Sequence, residues 1–87
     1  MPIIRSAKKR MRQNVRRRDR NRTRRSHMRT AIRSFLEALQ AGDAEAARSQ
    51  WRHTQGVIDR TARLGVIHSN TAARTKSRLT RRLRQLS

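Results

Sequence analysis

The chain has 87 residues with 24 Lys and Arg against five Asp and Glu, a formal net charge of +19. A chain this short forms at most one small domain, and repulsion among so many like charges opposes a compact state unless a polyanion neutralises it. It has no cysteine, which excludes disulfide scaffolds, thiolate zinc sites and cysteine nucleophiles. No apolar run approaches the roughly 18 residues of a membrane span.

The charge is distributed unevenly along the chain. Residues 1–34 hold 14 Lys and Arg and one acid, a net charge of +13. Residues 35–65 hold four Arg and four acids, and residues 66–87 hold six Lys and Arg and no acid. The pattern therefore predicts two basic ends around a neutral middle. An Arg-rich, acid-poor N-terminus is also typical of an organelle transit peptide. A transit peptide is therefore an alternative to polyanion binding for these arginines.

A first helix is predicted over residues 5–41. Gly42 follows it, in the place of a left-handed helix cap. Val15 and Met11 continue the apolar positions backwards at four-residue steps, and Met11 is interpreted as a packing residue. The main apolar face of this helix recurs at the helical period and consists of Met28, Ile32, Phe35, Leu36 and Leu39.

A second helix is predicted over residues 43–65. Asp43 is its N-cap candidate, and Gly65 is its stop. Gly56 lies inside it and costs about 1 kcal/mol relative to Ala, yet the pattern indicates one helix rather than two. The face that repeats at helical spacing consists of Ala47, Trp51, Thr54, Ile58 and Ala62.

A third helix is predicted over residues 69–86, with Ser69 and Asn70 as candidate caps. Its apolar face consists of Ala72, Leu79, Leu83 and Leu86. The sequence shows no period-two alternation and no hairpin turn pair, so strands are not expected. Three helices with short links predict an all-α fold, an up-down-up three-helix bundle in which residues 1–87 form a single domain.

The lengths of the first two helices predict a projection. At about 1.5 Å per residue the first helix is roughly 55 Å long, and the shorter second helix folds back only to about residue 20. The stretch up to about Arg18 then extends roughly 20 Å beyond the bundle. Arg16, Arg17 and Arg18 step by about 100° each and cover two sides of the helix. Phosphates on several sides would neutralise such a helix, whereas a protein core cannot hold it.

The residues predicted to contact the phosphates and sugars of a nucleic acid fall into two groups. Arginine suits this role because its planar guanidinium binds phosphate in a bidentate way, and hydroxyl and amide side chains add hydrogen bonds to sugar or phosphate oxygens. The first group consists of Arg5, Ser6, Lys8, Lys9, Arg10, Arg12, Gln13, Asn14, Arg16, Arg17, Arg18, Asn21, Arg22, Arg24, Arg25, Ser26, Arg29, Thr30 and Arg33. The second group, near the positive N-terminal end of the third helix and along it, consists of His68, Asn70, Arg74, Lys76, Ser77, Arg78, Arg81 and Arg82. We expect the start of this third helix to lie close to residues 21–29.

Aromatic residues are scarce. Phe35 and Trp51 are the only two, and both fall on apolar faces, so both are predicted to lie in the core. No stacking platform of the kind used by sheet-based single-strand binders is expected. Recognition of backbone and shape, with a strong dependence on salt, is predicted instead.

The sequence resembles a known family, the bacterial small-subunit ribosomal protein S20. The resemblance covers nearly the whole chain and rests on Arg5-Ser6-Ala7-Lys8-Lys9-Arg10, Arg12-Gln13-Asn14, the stretch from Asn21 to Arg33, Gly42-Asp43, Gly65-Val66-Ile67-His68, Asn70 and the stretch from Ala72 to Leu79. It implies a three-helix bundle with a long first helix that binds 16S ribosomal RNA directly and early in assembly of the small (30S) subunit. It also implies RNA contacts from the matching residues and a place on the ribosome in the cytoplasm. The sequence departs from the family in having Arg at many positions where Lys is usual.

Other classes of function are disfavoured. His27, His53 and His68 lack metal-ligand spacing, and no catalytic constellation or phosphate-binding glycine loop occurs, so no enzyme, metal, cofactor or small-molecule substrate is expected, and no homo-oligomer. A DNA-binding basic zipper needs at least three or four heptads, which Gly42 interrupts. A membrane-active cationic helix needs an apolar face, which residues 16–27 lack.

Overall fold

The structure, a computed structural model, describes residues 2–86, with side chains from Arg5 to Leu86. It contains three α-helices, α1 (Pro2–Gln40), α2 (Ala44–Arg63) and α3 (Ser69–Leu86), and no strand among the described residues. The all-α prediction is therefore confirmed. The predicted spans of 5–41, 43–65 and 69–86 differ from these helices by at most three residues at any end.

The turn between α1 and α2 is formed by two residues with opposite roles. Gly42 has φ of 76°, a left-handed conformation that L side chains avoid, and its N–H donates to the Leu39 carbonyl at 3.0 Å. Asp43 then caps α2, because its Oδ1 accepts from the Ala46 N–H at 3.1 Å. Both residues act as the sequence predicted, and together they reverse the chain without a long loop.

The connection between α2 and α3 is a Schellman motif followed by an unexpected cap. Gly65 has φ of 77°, and the N–H groups of Gly65 and Val66 donate to the carbonyls of Ala62 and Thr61, the pairing that defines this motif. Val66 is buried and anchors the link.

The cap of α3 differs from the prediction. Neither the Ser69 nor the Asn70 side chain provides it; instead Nδ1 of His68 accepts from the Asn70 backbone N–H at 3.0 Å. An imidazole nitrogen with a free lone pair can replace the usual oxygen acceptor in this position. The predicted caps were therefore wrong by one or two positions.

The helices run up, down and up. Residues of α2 that come later in the chain meet earlier residues of α1: Trp51 contacts Phe35, and Thr54 donates to the Ala31 carbonyl. At its C-terminal end, α3 lies beside the end of α1, where Leu86 and Leu39 line one cleft. α2 packs chiefly on α1, and α3 chiefly on α2.

The core is small. Phe35 and Ile58 are fully buried, as is Thr54, whose hydroxyl is satisfied by the bond of 3.1 Å to the Ala31 carbonyl. The ring centroids of Phe35 and Trp51 lie 5.1 Å apart at 46°, a tilted aromatic pair within the favourable range. Partly buried apolar side chains from all three helices surround this centre, namely Met28, Ile32, Leu36, Ala38, Leu39, Trp51, Ala62, Ile67, Leu83 and Leu86.

The N-terminal part of α1 extends beyond the bundle. Residues 5–20, which we call the arm, are exposed throughout, and Asn21 is the first half-buried residue. The molecule is 64 Å long but only 21 Å and 14 Å across, so the arm accounts for its elongation. Met11 is 66% exposed and does not pack within the chain, because α2 ends before reaching it. The interpretation of Met11 as a packing residue was therefore wrong.

We expect replacement of Phe35 by Ala to cost about 3–5 kcal/mol of unfolding free energy, because it empties the centre of the core. That loss is comparable to the whole stability of a small domain, about 5–15 kcal/mol. Urea unfolding followed by circular dichroism measures it. Met11→Ala is the matched control on the same helix, and it should change the unfolding free energy by no more than about 0.5 kcal/mol. Equal effects of the two substitutions would contradict this description of the core.

Candidate nucleic-acid interface

The arm presents cations in every direction. It contains nine Lys and Arg and a single acid, Asp19, and all of its side chains are exposed. Successive helical residues turn by about 100°, so the run from Arg16 to Arg18 covers most of the circumference. All predicted contacts of the arm, Arg5, Ser6, Lys8, Lys9, Arg10, Arg12, Gln13, Asn14, Arg16, Arg17 and Arg18, are therefore free to meet phosphates from several sides.

The part of α1 that enters the bundle keeps a basic outer face. Met28, Ala31, Ile32 and Phe35 lie on the side of the core, whereas Arg29, Thr30 and Arg33 are exposed. The predicted contacts on this stretch are exposed, namely Arg22, Arg25, Ser26, Arg29, Thr30 and Arg33, except for Asn21 and Arg24, which are half-buried. Burial of one face by α2 thus leaves the opposite face of α1 continuous with the arm.

A further basic face lies on α3. Ala72 and Leu79 are buried, so the helix shows its other side to solvent. The predicted contacts His68, Asn70, Arg74, Ser77, Arg78, Arg81 and Arg82 are exposed. Because α3 starts where α2 ends, this face begins at the arm end of the bundle and runs away from it. Its proximity to residues 21–29 stays a prediction.

Lys76 differs from the other predicted contacts because it has a partner within the protein. Its Nζ lies 2.7 Å from Oδ1 of Asp59, and the two side chains are only 31% and 43% exposed. This ion pair joins α3 to α2. An exposed pair of this kind contributes about 0–1 kcal/mol, but it engages the charge of Lys76, and we expect Lys76 to contribute less to RNA binding than Arg74 or Arg78.

Two other predicted contacts have restricted hydrogen-bonding capacity. Oγ1 of Thr30 donates to the Ser26 carbonyl at 2.9 Å, so its proton is not available to a phosphate oxygen, which only accepts. Nδ1 of His68 accepts from the Asn70 N–H, which assigns the proton of the neutral ring to Nε2. His68 can therefore donate outward through Nε2 at the N-terminal end of α3.

Aromatic stacking on bases has no obvious platform in this protein. Phe35 is fully buried, and Trp51, half-buried, packs against it. These are the only Phe, Trp or Tyr residues in the sequence. The prediction of a core position is confirmed for Phe35, whereas Trp51 lies at the edge of the core. The other polar side chains at the surface offer guanidinium, hydroxyl, amide and imidazole groups suited to sugar and phosphate.

Sequence reasoning missed a basic groove between α1 and α2. It treated residues 35–65 as neutral because their charges cancel in number. In the fold, Arg52, Arg60 and Arg63 of α2 line one groove together with Arg24 of α1. The helical spacing of Arg52, Arg60 and Arg63, with Gly56 between them, predicts that these positions lie on one side of α2.

The same groove contains two histidines in contact. The ring centroids of His27 and His53 lie 6.4 Å apart with perpendicular planes. No group of three or more potential metal ligands occurs among the described residues, so this pair is not accompanied by the third ligand that a protein zinc site uses.

Within the same residues, no helix is long and apolar enough to cross a membrane.

We expect the helicity of the arm to depend on its counterions. Lys8, Arg12, Arg16 and Arg20 are spaced four residues apart, and like charges at this spacing destabilise a helix. The ellipticity at 222 nm of the free protein at low salt should therefore be below that of three full helices, and should rise when RNA is added. The variant Arg12→Ala/Arg16→Ala, relieved of part of the repulsion, should start more helical and rise less. Full helicity without RNA at low salt would contradict the repulsion argument.

Comparison with known proteins agrees with this architecture. The family model described as Ribosomal protein S20 matches residues 2–84. The chain is 48% identical over 87 residues to the small ribosomal subunit protein bS20 of Legionella pneumophila (strain Corby), covering 100% of this chain and 99% of that protein. It is 46% identical over 81 residues to the bS20 protein of Coxiella burnetii (strain Dugway 5J108-111), covering 93% of this chain and 90% of that protein. The match extends over the arm, the bundle and most of α3, and the chain belongs to the ribosomal protein S20 family.

Proposed function

We propose that this protein is a structural, non-enzymatic component of the bacterial small ribosomal subunit. In this role it binds 16S ribosomal RNA directly and supports its folding during assembly on the cytoplasmic ribosome. Family membership supports the place in the small subunit, since relatives that match nearly the whole chain are named small ribosomal subunit proteins. Residues 1–87 act as one RNA-binding domain, without a cofactor, a small-molecule substrate or a second copy of the chain.

The arm is the observation that carries direct RNA binding. It is exposed on all sides and holds nine cations with one acid. A flat or one-sided anionic partner would neutralise only part of its circumference. Folded RNA can surround a helix with phosphates, and each Arg there can bind a phosphate through two parallel N–H groups. The arm therefore lies within the RNA, while the bundle holds it at a fixed angle.

Two other classes of function fit less well. A basic zipper would use the apolar residues of α1 for dimerisation, but Phe35 is fully buried inside this chain, and its neighbours Ile32 and Leu39 pack against the same core. A membrane-surface helix needs a wide apolar face, whereas the exposed large apolar residues of the arm are only Met11 and Val15. Neither class accounts for the basic face of α3.

The experiment is binding of the full-length protein to a 16S ribosomal RNA transcript at several KCl concentrations. The slope of log K against log salt is negative. Replacing Arg16, Arg17 and Arg18 together by Gln should reduce its magnitude by about 2–3, since each lost phosphate contact removes roughly 0.7–0.9. The matched control, Lys at the same three positions, retains the charge and should retain most of the slope. Hydroxyl-radical footprinting on reconstituted subunits should lose protection at the RNA around the arm in the Gln variant only.

Two results would contradict the proposal. One is absence of any protected region on 16S ribosomal RNA in reconstituted subunits. The other is equally tight binding to duplex DNA at physiological salt, because recognition of folded RNA shape should discriminate against a B-form duplex.

A further inference from the structure

The groove between α1 and α2 is lined by four arginines and two histidines. Its volume is about 750 Å³, and its polar lining includes Arg24 and His27 of α1 and Arg52, His53, Arg60 and Arg63 of α2. Among the residues that the structure describes, no Asp or Glu lines it. Four arginines and no acidic residue thus line one open space, an arrangement that destabilises the free protein.

The acids of α2 are engaged or placed elsewhere. Asp59 forms the ion pair with Lys76 of α3, and Asp43 caps the far end of the helix. The next residue after Asp59, Arg60, is turned by about 100° and lines the groove with α1. Asp59 is four positions from Arg63 and so lies near the edge of the groove, but its carboxylate is engaged by Lys76, and the neutral count of the middle segment conceals a groove lined by cations alone.

The dimensions of the groove suit a nucleic-acid strand. Arg52 and Arg63 are 11 positions apart, which is about 17 Å along a helix. A strand in a duplex carries one phosphate per about 3.4 Å of axis, so several phosphates fit within that length. The wall of α2 is bare at Gly56, where an added Cβ would meet no other atom within 4 Å. A backbone can approach the helix closely at this point.

We propose that this groove is a separate binding site for a ribose–phosphate strand of RNA. The arginines bind phosphate oxygens, and the ring N–H groups of His27 and His53 donate to phosphate or sugar oxygens. The inference rests on the proposed function and extends it, because no residue of α3 lines this groove. The bundle then contacts one segment of RNA in the groove and another along α3.

The first test fills the groove without changing its charge. Gly56→Leu places a bulky side chain on the bare wall, and since Leu is a better helix former than Gly, the variant should unfold at the same or a higher temperature. We expect its affinity for a 16S ribosomal RNA transcript to fall at least about tenfold, which is the loss of one charge-assisted contact. The control is Gln55→Leu, at the neighbouring exposed position outside the groove, and it should bind like the unmodified protein.

The second test removes charge. Arg60→Gln should lower the salt slope of RNA binding by about 1, whereas Arg48→Gln removes one charge from an exposed position of the same helix that does not line the groove and should change the slope by less than half as much. Arg60 also lies in the last turn of α2, where a cation stabilises the helix. Both variants are therefore compared at a temperature well below their unfolding transitions.

The outcomes separate the two proposals. If the unmodified protein fails to bind and protect the transcript, the proposed function is lost. If it binds but Gly56→Leu and Gln55→Leu bind equally well, or Arg60→Gln and Arg48→Gln have the same slope, the groove is a solvated face and only this inference is overturned. Selective loss of one footprint in Gly56→Leu, with the footprints of the arm and α3 retained, supports a separate strand in the groove.

Discussion

Repulsion among cations is the constraint on which the whole structure depends. A chain of 87 residues with a net charge of +19 has few apolar residues. Its largest fully buried side chains are those of Phe35, Ile58 and Thr54. Such a core holds together only if the charges lie outside it and apart from one another. The fold meets most of this requirement by extending α1 far beyond the bundle and by keeping the arginines of α2 and α3 at the surface, although four arginines still share the groove between α1 and α2.

The same constraint links stability to function. The arm gains most from a partner, because it is exposed on all sides and holds nine cations with one acid. A polyanion that binds the arm, the face of α3 and the groove at once would remove the repulsion in all three places. We therefore expect the protein to be most stable when it is bound to RNA. The small core then sets the angles between the basic surfaces.

Most local features of the fold could be predicted from the sequence, because they depend on neighbours in the chain. Gly42 and Gly65 end helices through backbone conformation, and Asp43 caps α2 through a side chain three residues from its donor. The exceptions involve competition with other groups. His68 caps α3 in place of the expected Ser69, because an imidazole nitrogen satisfies the same backbone donor. Met11 has the spacing of a core residue, but α2 is too short to cover it.

The sequence by itself determined the helices, the neutral and basic segments, the burial of Phe35 and the resemblance to a ribosomal family. The tertiary structure decided which charges lie together. Lys76 was predicted as an RNA contact, yet the packing of α3 on α2 gives it Asp59 as a partner. Arg60 belongs to a segment with no net charge, yet it shares a groove with Arg24. A charge count along the chain does not record which way each side chain points. Electrostatic interaction depends on the distance between charges in space, and only the packing of the helices sets that distance.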